Sequence, residues 1–524
     1  MNAMQPFQLR EKKGTELLLT AAEAFPAFER AVLASKSEIW ASFRIFDLDT
    51  RLRSDEAKKI GETWFDLIVH TLARGVRIRM VLTDFDPVVR PKLHALTWRS
   101  MRQFYAAREI AGPRADLDVI PSLHASRTGI VPRLAVLPMA WVALRRACKW
   151  LNALGDDERK VTLHDMPGLL RYVHTKGNRT VAPRYLTVPV LFPATHHQKL
   201  AVIDRRLLYI GGLDLNDRRF DTPEHDQEGK DTWQDVQLLM DGRVVAEAQE
   251  HLETFLSVVS GHQPPKPTRR LLRTLSKRRS SDAVHFGPSP VANEILKGHL
   301  TLIRRSKRLI YLETQFFRDR QLARTLADAA RKNPDLGLIV ILPAAPEEVA
   351  FEASDDLDSR FGEFLQARCL RKVRKAFGDR VFIGAAAQPR AASKTYKKSS
   401  RERLRGAELV YIHSKVSIFD DTEAIISSAN LNGRSLRWDT EAGVFLSQGK
   451  TVEEVRKKIF GHWLPPDAKE EYFALDTAVR AWRRIAIQNA RRAPEDRKGF
   501  LLPYDLKAAE EFGVQLPGVP EEMV

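Results

Sequence analysis

The stretch His197-Gln198-Lys199-Leu200-Ala201-Val202-Ile203-Asp204 decides how this chain is read, because it returns as His413-Ser414-Lys415-Val416-Ser417-Ile418-Phe419-Asp420. Both copies satisfy H-x-K-x-x-x-x-D. Both then run at the same spacing into a turn of small residues, Gly211-Gly212-Leu213-Asp214 in the first and Ser427-Ser428-Ala429-Asn430 in the second. One match to three fixed residues is a weak signal. A duplicated match with a matching sequel is a strong one.

On a strand, residues i and i+2 point the same way. Each octet therefore sets an imidazole and an ammonium on one face, while Leu200, Val202, Val416 and Ile418 make the rest a buried strand. A histidine beside a lysine is a poor metal ligand, because the cation repels the metal. It is well suited to a phosphate: the lysine neutralises the oxyanion, and the imidazole attacks phosphorus or moves a proton. A lone strand histidine is usually a hydrogen-bonded core residue; the duplication is what points to chemistry. His196, just ahead of the first octet, is read as a core or supporting residue.

The chain resembles the phospholipase D superfamily, whose members join two such motifs in one active site. Gly211-Gly212-Leu213-Asp214-Leu215 with Arg219-Phe220-Asp221-Thr222 resembles the GGxDL…GRxDT run of eukaryotic-type phospholipases D. Tyr411-Ile412-His413-Ser414-Lys415, Ser428-Ala429-Asn430-Leu431-Asn432-Gly433-Arg434-Ser435 and Ile310-Tyr311-Leu312-Glu313-Thr314-Gln315-Phe316-Phe317 resemble other blocks of the same enzymes. Two places depart from the pattern: Ser427-Ser428 stands where Gly-Ser is usual, and Arg437-Trp438-Asp439 replaces Gly-x-Arg-Asp.

The resemblance implies two similar α/β halves, each a mixed sheet flanked by helices, with the active site at their interface. It implies that His197 attacks phosphorus, that His413 protonates the leaving alcohol, and that Lys199, Lys415, Asn430 and Ser428, with Gln315, hold the phosphate. An acid opening the third strand of each half, Asp235 and Glu441, is expected to bond the second nitrogen of its motif histidine and fix the tautomer. Asp204 and Asp420 close the motif strands and are expected to be structural, as are Gly211 and Gly212. No metal or cofactor enters this scheme.

The implied reaction is hydrolysis of the distal phosphodiester of a glycerophospholipid to phosphatidic acid. Transfer to another alcohol, cardiolipin-synthase-like phosphatidyl transfer, and a nuclease activity are the alternatives. A catalytically dead membrane scaffold is the remaining one, and intact His/Lys pairs in both halves argue against it. Small nucleases of the superfamily carry one motif and dimerise, so two motifs in one chain suggest a monomer and favour the lipid substrate.

A chain of 524 residues, 44% hydrophobic and 29% charged, has the composition of a globular protein with a large core. Its net charge of +17 and pI near 9.8 call for a polyanionic partner: a phospholipid surface, or else nucleic acid. Two distant cysteines, Cys148 and Cys369, make no disulfide framework and fit a reducing compartment. Residues 1–13 show no apolar signal core, and no apolar run is long enough to span a bilayer, which argues against membrane-anchored cardiolipin synthases. The expected location is cytoplasmic or peripheral to a membrane, with signal-less export left open.

In chain order, a helix is expected over 15–36, a strand over 39–46, a helix over 55–74 and a strand over 76–82. The second half repeats this order around its own motif. The expected division is a first half over 1–262 with an insertion at 86–190, a basic linker at 263–283, a second half over 284–464, and a helical extension over 465–524. Within the insertion, residues 129–151 mix apolar and basic side chains. They read either as a buried helix capping the site or as a segment that dips into lipid. The basic stretch 388–405, with Lys394, Lys397, Lys398 and Arg401, is a second candidate contact for anionic membrane.

Overall fold

A computed structural model of the chain describes residues 14–176, 180–280, 283–352, 354–392 and 401–524. Residues 1–13, and Lys394, Lys397 and Lys398 of the expected basic membrane contact, lie outside the described residues. Arg401 is described, and it is no free cation: it binds the buried carboxylate of Glu363 at 2.9 Å.

The first half opens with strand β1 (Thr15–Leu19), where a helix was expected, and only then helix α1 (Thr20–Ala34). Leu17 and Leu19 bury onto the strand β1 pairs with, which outweighs the helical spacing Leu17 shares with Ala21 and Phe25. Strand β2 (Glu38–Phe43) and strand β3 (Arg77–Thr83) follow as expected, whereas helix α2 (Trp64–Ala73) starts nine residues later than expected, behind its Thr63–Asp66 capping box. Helix α3 (Pro91–Ala111) then leads to β4 (Leu117–Ser122), which lies parallel to β3. A parallel neighbour needs a crossover, and α3 supplies it. The excursion peculiar to this half therefore begins after residue 122, not at 86. It holds α4 (Ile130–Ala135), α5 (Leu137–Asn152), α6 (Asp156–His164) and the hairpin β5 (Val173–Lys176) and β6 (Thr180–Pro183). The motif strand β7 (Leu200–Ile203), β8 (Leu207–Gly211), β9 (Val236–Met240) and helix α7 (Arg243–Val259) complete the half. Its sheet has seven strands in the order β1-β9-β8-β7-β2-β3-β4.

The stretch expected as a linker contains β10 (Leu271–Lys277), with Leu271 and Leu275 buried. The charge that made it read as a linker is partly internal, since Arg273 grips Glu294. Next come β11 (Ser289–Asn293), α8 (Glu294–Arg305), β12 (Leu309–Glu313), α9 (Arg320–Lys332), β13 (Gly337–Ile341), α10 (Glu347–Ala350) and α11 (Leu357–Phe377). Strands β14 (Val381–Ala391), β15 (Arg403–Leu404), β16 (Ala407–Leu409), the motif strand β17 (Val416–Phe419) and β18 (Glu423–Ser427) lead to helix α12 (Gly433–Arg437). Strand β19 (Glu441–Leu446) and helices α13 (Gly449–Trp463) and α14 (Ala478–Arg491) follow. The C-terminal region ends with β20 (Leu501–Pro503), which joins the sheet beside β14, and α15 (Leu506–Phe512). This second sheet is eleven-stranded and, like the first, mixes parallel and antiparallel pairs.

The two sheets share a core. Leu200, Val202, Ile210 and Leu238 pack in one cluster with Val416, Ile418, Ile426 and Val444. The outer faces are covered by helices, α1 and α2 with Phe28 and Trp64 on the first sheet, α8, α9 and α11 on the second. The motif strands are thus central in both sheets, and their N-terminal ends meet. No helix among the described residues is long and apolar enough to cross a membrane.

Candidate active site

The two motif strands are stitched to the opposite half. The backbone N–H groups of His197 and Gln198 donate to the carbonyl of Thr440, at 2.8 and 3.0 Å. Those of His413 and Ser414 donate to the carbonyl of Gln234, at 2.8 and 3.1 Å. Thr440 and Gln234 directly precede the two expected acids, so each acid is delivered to the other half's histidine. His413 Nδ1 lies 2.6 Å from Asp235 Oδ2, and His197 Nδ1 lies 3.0 Å from Glu441 Oε1. The expectation that each acid serves the histidine of its own half is corrected: the pairing crosses.

Each motif lysine folds back on its histidine. Lys199 Nζ donates to the carbonyl of His197 at 2.6 Å and stands 3.3 Å from His197 Nε2. Lys415 Nζ donates to the carbonyl of His413 and stands 3.0 Å from its Nδ1. All four of Lys199, Lys415, Asp235 and Glu441 are buried. Burial, and next the motif lysines, hold both imidazoles well below the ordinary histidine pKa. Burial pulls Lys415 down to about 7 against the opposing pull of Asp235, and pushes Glu441 up to about 8 against Lys199. Asp235 is pushed up to about 6 by burial, with Lys415 opposing. Such a cluster gains from an anion that lets the lysines stay charged.

Asn430 and Gln315 come together, Asn430 Nδ2 donating to Gln315 Oε1 at 3.0 Å, and Gln315 Nε2 donates to Tyr411 Oη at 2.9 Å. The Ser428 hydroxyl donates to Glu441, the carboxylate paired with His197. Gly212 is needed because a Cβ there would fall 2.1 Å from Asp235 Oδ1. A Cβ on Gly211 would meet Gln237 Oε1 at 1.9 Å. In the second half the same crowding is relieved from the other side: Ser427 replaces Gly211, and Gly443 leaves room for it, where an added Cβ would be 2.3 Å from Ser427 Cβ. The Ser-Ser departure is thus accommodated within the sheet.

Asp204 and Asp420 take corresponding parts at the far ends of the motif strands. Both sit in the left-handed region, at φ 50° and 53°. Asp204 accepts the N–H groups of Lys36, Ser37 and Glu38, and Asp420 those of Lys307, Arg308 and Leu309. His196 is buried between Thr440 Oγ1 and Ser122 Oγ, away from the lysines, as expected.

Several residues here escaped sequence reasoning. Strand register places Arg44 and Asp214 where the second half has Gln315 and Asn430. The amide pair of one half is therefore an ion pair of 3.3 Å in the other. Asp214 also stands 3.9 Å from Lys199 Nζ. Trp233 stacks on His413 at 4.5 Å between centroids, and the Arg219 guanidinium lies 3.5 Å from the Trp233 centroid on its way to Glu347. Aligning the octets sets Asp214 against Asn430, and aligning the stretches 39–46 and 308–317 sets Arg44 against Gln315; nothing local marks Trp233. In the departing run, Asp439 caps Thr195 N at 2.7 Å and holds Arg434 at 3.1 Å, beside the first motif.

Residues 300–463 match the family model described as cardiolipin synthase, phospholipase D-like domain. Phospholipase D1 of Schizosaccharomyces pombe is 23% identical over 416 residues, covering 60% of this chain and 30% of that protein. The chain belongs to the phospholipase D superfamily. The cardiolipin synthase of Listeria innocua is 24% identical over 264 residues, covering 50% of this chain and 46% of that one. The chain thus spans less than half the length of these two curated relatives. Among solved structures, phosphatidylserine synthase of Haemophilus influenzae shares the fold of this superfamily member, with a TM-score of 0.50 and 12% identity over 91% of this chain and 94% of that one.

Proposed function

We propose that this chain is a phospholipase D that cuts the distal phosphodiester of glycerophospholipids through a phosphohistidine. The observation that carries the reading is the reciprocal pairing of two imidazoles with two buried carboxylates, His197 with Glu441 and His413 with Asp235. With Nδ1–H held by a carboxylate, each ring offers Nε2 to a substrate. His197 Nε2 attacks phosphorus, the P–O bond to the headgroup breaks, and His413 Nε2–H protonates the leaving oxygen. His413 then takes a proton from water, the water oxygen attacks phosphorus, and the P–N bond breaks to release phosphatidic acid. His197 is given the nucleophile's part because its side chain is the more exposed, 14% against 6%. Lys199 and Lys415 neutralise the phosphoryl oxygens, with Asn430 held in place by Gln315, while Ser428 and Trp233 position Glu441 and His413.

The eukaryotic-type branch is favoured by the Gly211–Leu215 and Arg219–Thr222 runs. Phosphatidyl transfer is the second reading, favoured by the cardiolipin synthase relatives; it replaces water by an alcohol at the second step. The partner in either case is a phospholipid surface met from one side.

The test uses His413→Asn with phosphatidylcholine radiolabelled in its phosphate. Label should accumulate on His197 and none on a His197→Ala, His413→Asn double variant. Label on another residue, or undiminished turnover by His197→Ala, would overturn the mechanism.

A further inference from the structure

The stretch 129–151 is neither wholly buried nor wholly exposed. The inner face of α5, with Ala140, Leu144, Cys148 and Leu151, closes over a small core of its own against Met166, Leu169 and Tyr172. Its other face, with α4, leaves Ile130, Val131, Leu134, Met139 and Val142 exposed, Val131 at 59% and Met139 at 64%. The surface continues onto the loop after β6, where Leu186 protrudes completely, at 102% exposure. Trp141 and Tyr185, with ring centroids 5.8 Å apart, join the helix to that loop.

Charge singles out the same surface. From Val119 to Gly155 there is no aspartate or glutamate, while Arg127, Arg145, Arg146 and Lys149 are exposed there and Arg184 precedes Tyr185. An acid-free run of that length in a chain with 67 acidic residues suits an anionic partner. Position links the surface to the site. The loop carrying Leu186 runs on directly to Thr195 and His197, with Thr128 N donating to Leu191 O at 2.9 Å. Arg146 of α5 also stands 3.5 Å from Asp356, at the start of α11 in the second half.

We infer that α4, the outer face of α5 and the Leu186 loop form one docking surface for an anionic phospholipid bilayer, which brings the mouth of the site to the headgroups. This rests on the phospholipid reading of the site and names the face by which that substrate is met. Apolar side chains ringed by arginines match the layered chemistry of a bilayer interface, where acyl chains lie beneath phosphates.

The experiment measures binding of the whole chain to vesicles of equal phosphatidylglycerol and phosphatidylcholine, beside turnover of soluble dihexanoyl-phosphatidylcholine. Leu134→Ser, Met139→Ser and Leu186→Ser combined should weaken vesicle binding about tenfold or more at both low and high salt. Turnover of the soluble lipid should be unchanged. Arg145→Gln, Lys149→Gln and Arg184→Gln should weaken binding at low salt only, since salt already screens those charges at high salt. Because Cys148 and Cys369 are both buried, Leu186→Cys can be labelled selectively with an environment-sensitive fluorophore. Its emission should shift to the blue on vesicles. Parental binding by the triple serine variant, or no spectral shift, overturns the inference. So does a parent protein that self-associates without lipid and loses that association in the triple variant, which would give the face to a second copy. A parent that docks through this face yet cleaves no phospholipid supports the surface and sinks the proposed reaction instead.

Discussion

Lys415 is an ammonium buried beside another ammonium, and that makes the empty site responsive to anions. Burial holds Lys415 at about 7, and His413 is pushed well below its ordinary value by burial and by Lys415. A phosphate oxyanion placed between Lys199 and Lys415 favours the protonated form of every one of these groups. At pH 8 the free site is therefore short of protons that the occupied site holds. Binding of inorganic phosphate or vanadate should take up protons at pH 8, read as a dependence of the calorimetric heat on buffer ionisation. Lys415→Met should reduce the uptake. Proton release, or uptake unchanged by the substitution, would show that the lysines are not where the anion sits.

At the scale of elements, the motif strand does two jobs from opposite ends. Its N-terminal end delivers His and Lys, and its C-terminal end turns on Asp204 or Asp420. Asp204→Ala removes the acceptor of three backbone N–H groups and leaves alanine at positive φ, a loss of about 1–2 kcal/mol. Although burial opposes it, the hydrogen bonds to Glu38, Ser37 and Lys36 bring the Asp204 pKa below its ordinary value. Its contribution is therefore full above the unfolded value near 4 and is lost as pH falls through the lower folded value. The gap in denaturation midpoint between parent and variant should be widest at neutral pH and narrow below about pH 4, leaving only the part due to alanine at positive φ. A gap independent of pH would mean the carboxylate is not what holds β2. These strands were legible in the sequence because the octets combine chemistry with alternation. Elements such as β1 and β10 were not, because Leu17 and Leu18 fit a helical spacing with Ala21 and Phe25 and the arginines of 269–279 read as solvated. Both are decided by partners far away in the chain, β9 for one and Glu294 with β19 for the other. The Gly211–Gln237 and Ser427–Gly443 exchange was invisible for the same reason, since only the pairing of strands brings those residues opposite one another.

For the whole molecule, the duplication matters because the halves exchange a part. The family resemblance marked Asp235 and Glu441 as site acids, but nothing in the sequence says which histidine each one meets. That follows only when Gln234 pairs with Ile412 and His196 with Thr440 across the interface. Neither half alone pairs its motif histidine with a carboxylate of its own, so the crossing has a consequence that within-half pairing reverses. Asp235→Asn disturbs His413, the acid and base, because an amide does not hold Nδ1–H as a carboxylate does; a loss of roughly 10³–10⁴ in turnover is expected. The nucleophile and its own carboxylate stay intact, so a phosphorylated His197 should accumulate in Asp235→Asn when radiolabelled phospholipid is added. Glu441→Gln disturbs His197 instead. It should be equally slow yet carry almost no label, because the first step is the one impaired. A low-field proton resonance from His413 Nδ1–H should vanish in Asp235→Asn and survive in Glu441→Gln. If label instead builds up in Glu441→Gln and is absent from Asp235→Asn, each half serves its own histidine, and the interface is only a place of contact. With the crossing, catalysis and the docking of the two halves are one event, and any change that separates the sheets must silence both histidines together.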